Sequence, residues 1–250
     1  QILALIKEFL DAELGWSNAT FGWVNGAFQL SYAVGLLLFG WFVDRFGTKI
    51  GYATSIVLWS VAAMSHALVG SVNGFFAARV FLGVSEGGNF PAAIKAVALW
   101  FPKKERAFAT ALFNAGTNVG AIIAPAMIPA IALTFGWRWA FILAGLAGFV
   151  WLFFWFPMYD VPEKRKNLTK AEFDLIHSDK DEGGIGGRPM GWTRSLKLPQ
   201  TWSFLTAKFL TDPVWWFFLT WLPSYLSRER GVTLASAAGA LLAIYLFADF

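Results

Sequence analysis

Cysteine is absent from this 250-residue chain, and histidine occurs only twice, at His66 and His177. Without cysteine the chain has no disulfide framework and no thiolate metal site. The two histidines lie far apart in the sequence, and no nucleophile motif or glycine-rich phosphate loop follows a strand pattern. We therefore expect no metal, no organic cofactor and no enzyme activity.

Charged residues are also scarce, at 14% of the sequence, whereas 57% of the residues are hydrophobic. This composition is typical of a helical protein that crosses a membrane several times, and unusual for a soluble domain. The net charge of +4 does not indicate a nucleic-acid partner, because most Lys and Arg residues lie in short connections between apolar segments. The sequence predicts an all-α, multi-span membrane protein.

Apolar segments of membrane-spanning length divide the chain into two blocks. The predicted spans are 21–43, 50–69, 72–99, 107–135, 137–159 and 201–227, with a further one starting near 234. A long polar segment at 160–200 separates an N-terminal helical bundle at 1–159 from the start of a second bundle at 201–250. Within this segment we predict a surface helix at 168–182, because Thr169 and Glu172 fit a capping box.

Basic residues indicate the orientation of the spans. Alternate connections hold most of the Lys and Arg residues, including Arg45, Lys49, Arg106 and all those of the 160–200 segment. The positive-inside rule places these connections in the cytoplasm. We therefore expect a multi-pass protein of the plasma membrane, the inner membrane of a bacterium, surrounded by the lipid bilayer.

A cation and a carboxylate lie centrally in the otherwise apolar run from Val72 to Phe101, which also holds Lys95 near its end. Each central charge costs about 3 kcal/mol on insertion scales. At about 100° per residue, the seven-residue spacing of Arg79 and Glu86 puts both on one helix face, roughly 10 Å apart along the axis. This separation is too long for a close ion pair. We predict that Arg79 binds a substrate carboxylate and that Glu86 carries a proton. The alternatives are an arginine paired with a carboxylate of another helix and a glutamate that makes only structural hydrogen bonds.

The connection between the first two complete spans carries a motif. Its sequence, Gly40-Trp-Phe-Val-Asp44-Arg45-Phe-Gly47-Thr-Lys49, resembles the GxxxDRxGxK/R loop of the major facilitator superfamily. We expect Gly40 and Gly47 to permit a tight turn between helices. We expect Asp44 to accept hydrogen bonds from helix N-terminal amides or from basic partners.

The resemblance extends to two later segments, Arg79-Val-Phe-Leu-Gly-Val-Ser-Glu86-Gly-Gly-Asn-Phe-Pro91 and Trp100-Phe-Pro-Lys-Lys-Glu-Arg106. They are similar to the anion:cation symporter family within that superfamily, and most similar to its bacterial hexuronate and aldonate transporters. The resemblance covers essentially the whole chain, as helices two to seven, the central cytoplasmic loop and the start of helix eight of twelve. We expect most of helix one, with an Asp-Arg pair, and the last four helices to lie outside this chain, which alone would then not transport.

The resemblance implies a secondary active transporter. It predicts proton-coupled symport of an acidic sugar, a hexuronate such as glucuronate or galacturonate, by alternating access around a site near the bilayer midplane. It implies the same proton-carrying role for Glu86. The open alternatives are an aldonate such as galactonate, an aromatic or small carboxylate, a phosphate ester and sodium in place of the proton. Outside this class they are an intramembrane enzyme and a channel. We expect a small anionic substrate, the proton as coupling ion, and a monomer.

Further polar residues within the spans are candidates for substrate binding. Tyr32 lies where the family often has a substrate-facing tyrosine, and its alternative role is helix packing. Asn114, Thr117 and Asn118 in the fifth helix offer amides and hydroxyls to sugar hydroxyls, although the glycines beside them also fit a helix-packing face. Galactonate-transporting relatives have glutamine at Thr117, which leaves aldonate specificity open.

Charged residues at other span positions have structural alternatives. Asp212 follows Lys208 by one helical turn and precedes a proline that can open backbone groups to a cavity, so it is a candidate for substrate binding. Lys208 and Asp212 can also neutralise each other. Lys95 is expected to snorkel towards the cytoplasm, Arg138 to anchor the membrane interface between two tryptophans, and His66 to be structural.

Overall fold

A computed structural model of the chain describes residues 1–178 and 192–231, without the side chains of residues 117, 118, 192 and 193. Within these ranges the chain forms helices joined by short connections. The helices are α1 (Ile2–Leu5), α2 (Lys7–Leu14), α3 (Asn18–Phe46), α4 (Thr48–Ser65), α5 (Val72–Glu86), α6 (Asn89–Trp100), α7 (Lys103–Phe135), α8 (Trp137–Met158), α9 (Lys170–His177), α10 (Trp192–Ser195) and α11 (Pro199–Arg230). Short 3-10 helices lie at His66–Leu68 and Pro162–Lys164.

Capping residues and glycines set the ends of the long helices. The side chains of Ser17 and Ser71 begin α3 and α5 by accepting from backbone N–H groups three residues later, at 3.1 and 3.2 Å. Gly47, with φ at 85°, forms the connection between α3 and α4, in a conformation that glycine adopts without steric cost. Gly40 lies inside α3, so only one of the two motif glycines forms the turn that we expected from both.

The span predicted at 72–99 is two helices, α5 and α6, rather than one continuous helix. Two features explain the break. The carbonyl of Ser85 accepts a hydrogen bond from Ser55 Oγ at 2.6 Å, and this hydroxyl takes the place of a helical donor. Pro91 has no N–H to donate to the carbonyl of Gly87, four residues earlier.

The other predicted spans correspond to α3, α4 with its 3-10 turn, α7, α8 and α11. Among the described residues, three helices are long and apolar enough to cross a membrane: α3, α7 and α8. The capping box of Thr169 and Glu172 is confirmed at the start of α9, where backbone N–H donation from Thr169 lowers the pKa of Glu172. The rest of the predicted surface helix and the span from 234 lie outside the described residues, and the predicted domain boundaries stay predictions.

Two apolar clusters hold the helices together. The larger lies near the helix ends opposite the basic connections, which we call the outer ends. It includes Leu3, Leu10, Phe21, Phe75, Trp137 and Phe141. The smaller joins α4 to α8 through Ala53, Ile56 and Leu152. The larger cluster closes the bundle on the side opposite the basic connections.

Candidate functional site

A cavity of about 340 Å³ lies between α3, α5, α8 and α11, with further walls from α1 and α4. This volume is at the lower end of the roughly 300–1,000 Å³ found for small-molecule sites. Its lining includes the polar residues Asn25, Gln29, Arg79, Glu86 and Thr220, and the aromatic residues Phe28, Trp59, Phe141 and Trp216. The structure therefore brings together the cation and the carboxylate of α5, as their spacing predicts.

Arg79 is buried in α5, with 5% of its surface exposed. Its guanidinium carbon lies 5.5 Å from the centroid of the Phe28 ring on α3, which is a cation–π distance. Its Nε makes no hydrogen bond with any residue that the structure describes. An unsatisfied donor on a buried guanidinium is costly, and a carboxylate that enters the cavity can accept from its planar fork.

Glu86 is the last residue of α5 and lines the same cavity. The two glycines that follow fix its position. A Cβ atom on Gly87 would lie 2.6 Å from the carbonyl carbon of Gly35 on α3, and one on Gly88 would lie 2.6 Å from the Cβ atom of Ser55 on α4. Only glycine permits this close packing, so the carboxylate is held at the point where α5 meets both helices.

Asn25, Gln29 and Thr220 are lining residues that are absent from the predictions above. Asn25 donates from Nδ2 to the carbonyl oxygen of Phe21 at 3.1 Å. Asn25 and Gln29 are four residues apart on α3 and therefore share one helix face. Their signal in the sequence is a polar pair with helical spacing inside an apolar span, which by itself does not show that the pair faces the cavity.

Tyr32 and the fifth-helix candidates lie outside the described lining of this cavity. Tyr32 is half-buried on α3, with its ring centroid 5.9 Å from that of Phe28. Asn114 is exposed on α7, and Thr117 and Asn118 lie on the same helix, where their side chains are not described. The contacts of these four residues with substrate stay predictions.

Asp212 lies on α11 and forms an ion pair with Lys208 at 2.8 Å. It lines a neighbouring hollow of about 730 Å³. Gln29 and Trp216 line both spaces, so the hollow adjoins the cavity. Asp212 thus lies beside the site of Arg79 and Glu86 rather than within its described lining, and its role in substrate binding stays a prediction.

The motif at 40–49 contacts α6 on the side of the basic connections. Asp44 Oδ1 accepts from Lys95 Nζ at 2.7 Å, and the same ammonium group donates to the carbonyl oxygen of Val43 at 3.1 Å. Lys95 therefore has two partners at the end of α3, and its snorkelling stays a prediction. Asp44 has the basic partner that the sequence predicts as one of its two options.

The remaining charges of the motif lie at the ends of α3 and α4. Lys49 Nζ lies 3.2 Å from Oδ2 of Asp160, just beyond α8. The backbone N–H of Val161 and, after it, Lys49 lower the pKa of Asp160. Arg45 lies in the last turn of α3, where a cation interacts favourably with the helix dipole. The motif therefore ties α3 to α6 through Asp44 and ties α4 to the end of α8 through Lys49.

Side-chain contacts join α2 to α11 at the outer helix ends. Asp11 accepts from Lys7 at 2.6 Å, from Trp16 Nε1 at 2.7 Å and from Arg228 of α11. Arg228 also donates to Asn18 at 3.3 Å. Lys7 is 1% exposed, so this part of the cluster is buried.

Three further contacts lie on the same outer side. Ser227 of α11 donates to Glu8 of α2. Arg138 pairs with Glu13 at 2.5 Å, which ties α8 to α2. His66 is fully buried and stacks on Phe141 with ring centroids 4.7 Å apart, in accordance with its structural interpretation.

Comparison with known proteins decides the family. The family model described as the Major Facilitator Superfamily matches residues 1–249. The chain belongs to the major facilitator superfamily. The hexuronate transporter of Escherichia coli strain K12 is 34% identical over 239 residues, which are 95% of this chain and 55% of that protein. The galacturonate transporter of Dickeya chrysanthemi is 30% identical over 250 residues, which are 99% of this chain and 72% of that protein.

A solved structure supports the fold. It is the crystal structure of a bacterial homologue of the human lysosomal transporter Spinster, in an inward-facing and occupied conformation. It matches with a TM-score of 0.70 and 18% identity over 95% of this chain and 52% of that protein. The prediction of the major facilitator fold is confirmed, and the chain spans about half the length of the hexuronate transporter.

Proposed function

We propose that the protein is a secondary active transporter that carries an acidic sugar, such as glucuronate or galacturonate, together with a proton across the plasma membrane. Two similar proteins have the names hexuronate transporter and galacturonate transporter. The observation that carries the proposal is the shared cavity of Arg79 and Glu86. Because the chain spans about half the length of the first of these relatives, the proposal concerns the full-length protein.

Coupling follows from placing two anions in one cavity. Arg79 binds the substrate carboxylate, and an ionised Glu86 repels it. At roughly 10 Å, the axial separation of Arg79 and Glu86, and an effective dielectric constant of about 20, two carboxylates repel by about 1.7 kcal/mol, which is roughly 16-fold in affinity. Protonation of Glu86 removes this repulsion, so proton and substrate occupy the cavity together.

Alternating access accounts for the outer contacts. The cluster of Asp11 and Arg228 joins α2 to α11 on the side opposite the basic connections. The similar solved structure is inward-facing. These contacts support a state in which the outer side is closed, and substrate release then takes place towards the cytoplasm.

Uptake by proteoliposomes tests the proposal. Full-length protein is supplied with labelled glucuronate, galacturonate and galactonate, with and without an inward proton gradient. We expect one acid to accumulate only with the gradient, and flux to saturate, as it does in a carrier and not in an open channel. Absence of uptake for all three acids would overturn the acidic-sugar assignment.

Glu86→Gln separates coupling from binding. The amide mimics the protonated acid, so we expect substrate exchange to continue while proton-driven accumulation is lost. Glu105→Gln, at the exposed start of α7, is the matched control and is expected to retain both activities. Equal loss of exchange and accumulation in Glu86→Gln would assign a structural role to this carboxylate.

A further inference from the structure

Besides Gln1, whose side chain donates to the carbonyl oxygen of Ala121, three neutral polar residues line the cavity that Arg79 and Glu86 also line. Asn25 and Gln29 lie on one face of α3, one turn apart, and Thr220 lies on α11. The two helices are close here, as shown by Gly22 of α3, where an added Cβ atom would lie 3.8 Å from the Trp221 ring of α11. The polar side chains of α3 and α11 thus face a common space.

The hydrogen-bonding capacity of these residues is largely unused. Asn25 uses its Nδ2 group on the carbonyl oxygen of Phe21, which leaves its side-chain oxygen as an acceptor. Within the described part of the chain, no hydrogen bond engages the Gln29 carboxamide. The Thr220 hydroxyl adds one donor and two acceptor sites. None of the three is charged, and together they offer both donors and acceptors, which is what hydroxyl groups of a ligand require.

We propose that Asn25, Gln29 and Thr220 form a hydroxyl-binding face that restricts the substrate to polyhydroxylated acids. The inference rests on the proposed function and adds the determinant of substrate class. Arg79 recognises any carboxylate, whereas the three neutral residues recognise the hydroxyls that distinguish a sugar acid from a simple organic acid. An acid without hydroxyls would leave these half-buried groups unpaired when the cavity closes around it, and sites built to bind hydroxyls discriminate strongly on this basis.

Two nearly isosteric substitutions test the face. Gln29→Met and Thr220→Val remove hydrogen-bonding groups with little change in shape. Binding of galacturonate, of its monodeoxy analogues and of hexanoate to the full-length protein in detergent is measured by ligand-induced thermal stabilisation. We expect each variant to bind galacturonate 10- to 100-fold more weakly than the unsubstituted protein does, and to bind hexanoate equally well. For one monodeoxy analogue, we expect the affinity of the variant to be less than about twofold below that of the unsubstituted protein. Gln200→Met, at an exposed position at the start of α11, is the matched control.

Each outcome bears on the hydroxyl-binding face. Equal weakening of galacturonate and hexanoate in both variants would show a structural role and overturn it. So would unchanged galacturonate affinity, or hexanoate binding to the unsubstituted protein as tightly as galacturonate. If the variants weaken only the affinity for galacturonate and the unsubstituted protein shows no gradient-driven accumulation, the hydroxyl-binding face is supported and proton coupling is rejected. If the unsubstituted protein accumulates substrate with the proton gradient and Gln29→Met has unchanged ligand affinities, the hydroxyl-binding face is rejected while the transport function stands.

Discussion

Replacement of Arg228 by alanine is expected to open the outer side of the cavity, because this residue joins α11 to two other segments. Its guanidinium donates to Asp11 of α2 and to Asn18 at the start of α3. Lys7 and Trp16, the other partners of Asp11, lie on α2 and just beyond it, so they stay with Asp11 when α11 moves away. The contact with Arg228 therefore stabilises only the closed state.

The exposure of the Arg228 and Asp11 side chains determines how much free energy their contact contributes to the closed state. The Arg228 side chain is 46% exposed and the Asp11 side chain is 17% exposed. Exposed ion pairs contribute about 0.2–1 kcal/mol, whereas removal of one partner of a fully buried pair costs about 3–5 kcal/mol. Because Arg228 is half-exposed and Asp11 keeps two partners, we expect a loss of about 1 kcal/mol. This changes the ratio of closed to open protein about fivefold.

Distance measurement between the outer ends of α2 and α11 checks this expectation. The 250 residues contain no cysteine, so spin labels can be attached through cysteines introduced at the exposed positions Ala12 and Glu229. In full-length protein without other cysteines, pulsed electron paramagnetic resonance is expected to show a longer-distance population that grows about fivefold in Arg228→Ala. Arg230→Ala, an exposed arginine of the same helix end, is the control. An unchanged distribution in Arg228→Ala, or an equal shift in the control, would refute the reasoning.

Two further experiments test the packing of the bundle. Gly83→Ala is expected to destabilise the purified protein by about 1–3 kcal/mol in thermal unfolding, because the added Cβ atom would lie 2.5 Å from the backbone oxygen of Phe28. Gly26→Ala, where the added atom meets nothing within 4 Å, is the control, and equal effects would contradict the close approach. Asp44→Asn and Lys95→Met are expected to show a coupling of about 0.5 kcal/mol in a double-mutant cycle, since the Asp44 side chain is 72% exposed. Strictly additive effects would show that this ion pair does not contribute to stability.

Helical periodicity predicts the parts of the site that lie on a single helix. Arg79 and Glu86 line one cavity because seven residues are close to two helical turns. The break after α5 also has local signals, the adjacent Gly87 and Gly88 and the following Pro91, although the predicted span at 72–99 did not include it. These features depend on the sequence within a few residues of the site.

Local sequence patterns do not predict which residues of different helices contact each other. The ion pair of Lys95 with Asp44 joins residues 51 positions apart, and it forms only because α6 packs beside the end of α3. For the same reason, polarity within a span did not distinguish Gln29, which lines the cavity, from Tyr32, which lies outside its described lining. Which face of a helix meets the cavity depends on its neighbours, since helix packing in membranes follows close side-chain fit.

The contacts between helices divide into those that fix neighbours permanently and those that can exchange. A Cβ atom on Gly87 of α5 would lie 2.6 Å from the Gly35 carbonyl carbon of α3, and one on Gly145 of α8 would lie 2.6 Å from a backbone oxygen of α4. Backbones this close cannot slide past each other without a clash. In contrast, α11 contacts α2 through the side chains of Arg228 and Ser227, whose hydrogen bonds water can replace. We therefore expect alternating access to move α11 against a rigid unit of α3, α4, α5 and α8, in which the cation and the carboxylate of α5 keep their separation throughout the cycle.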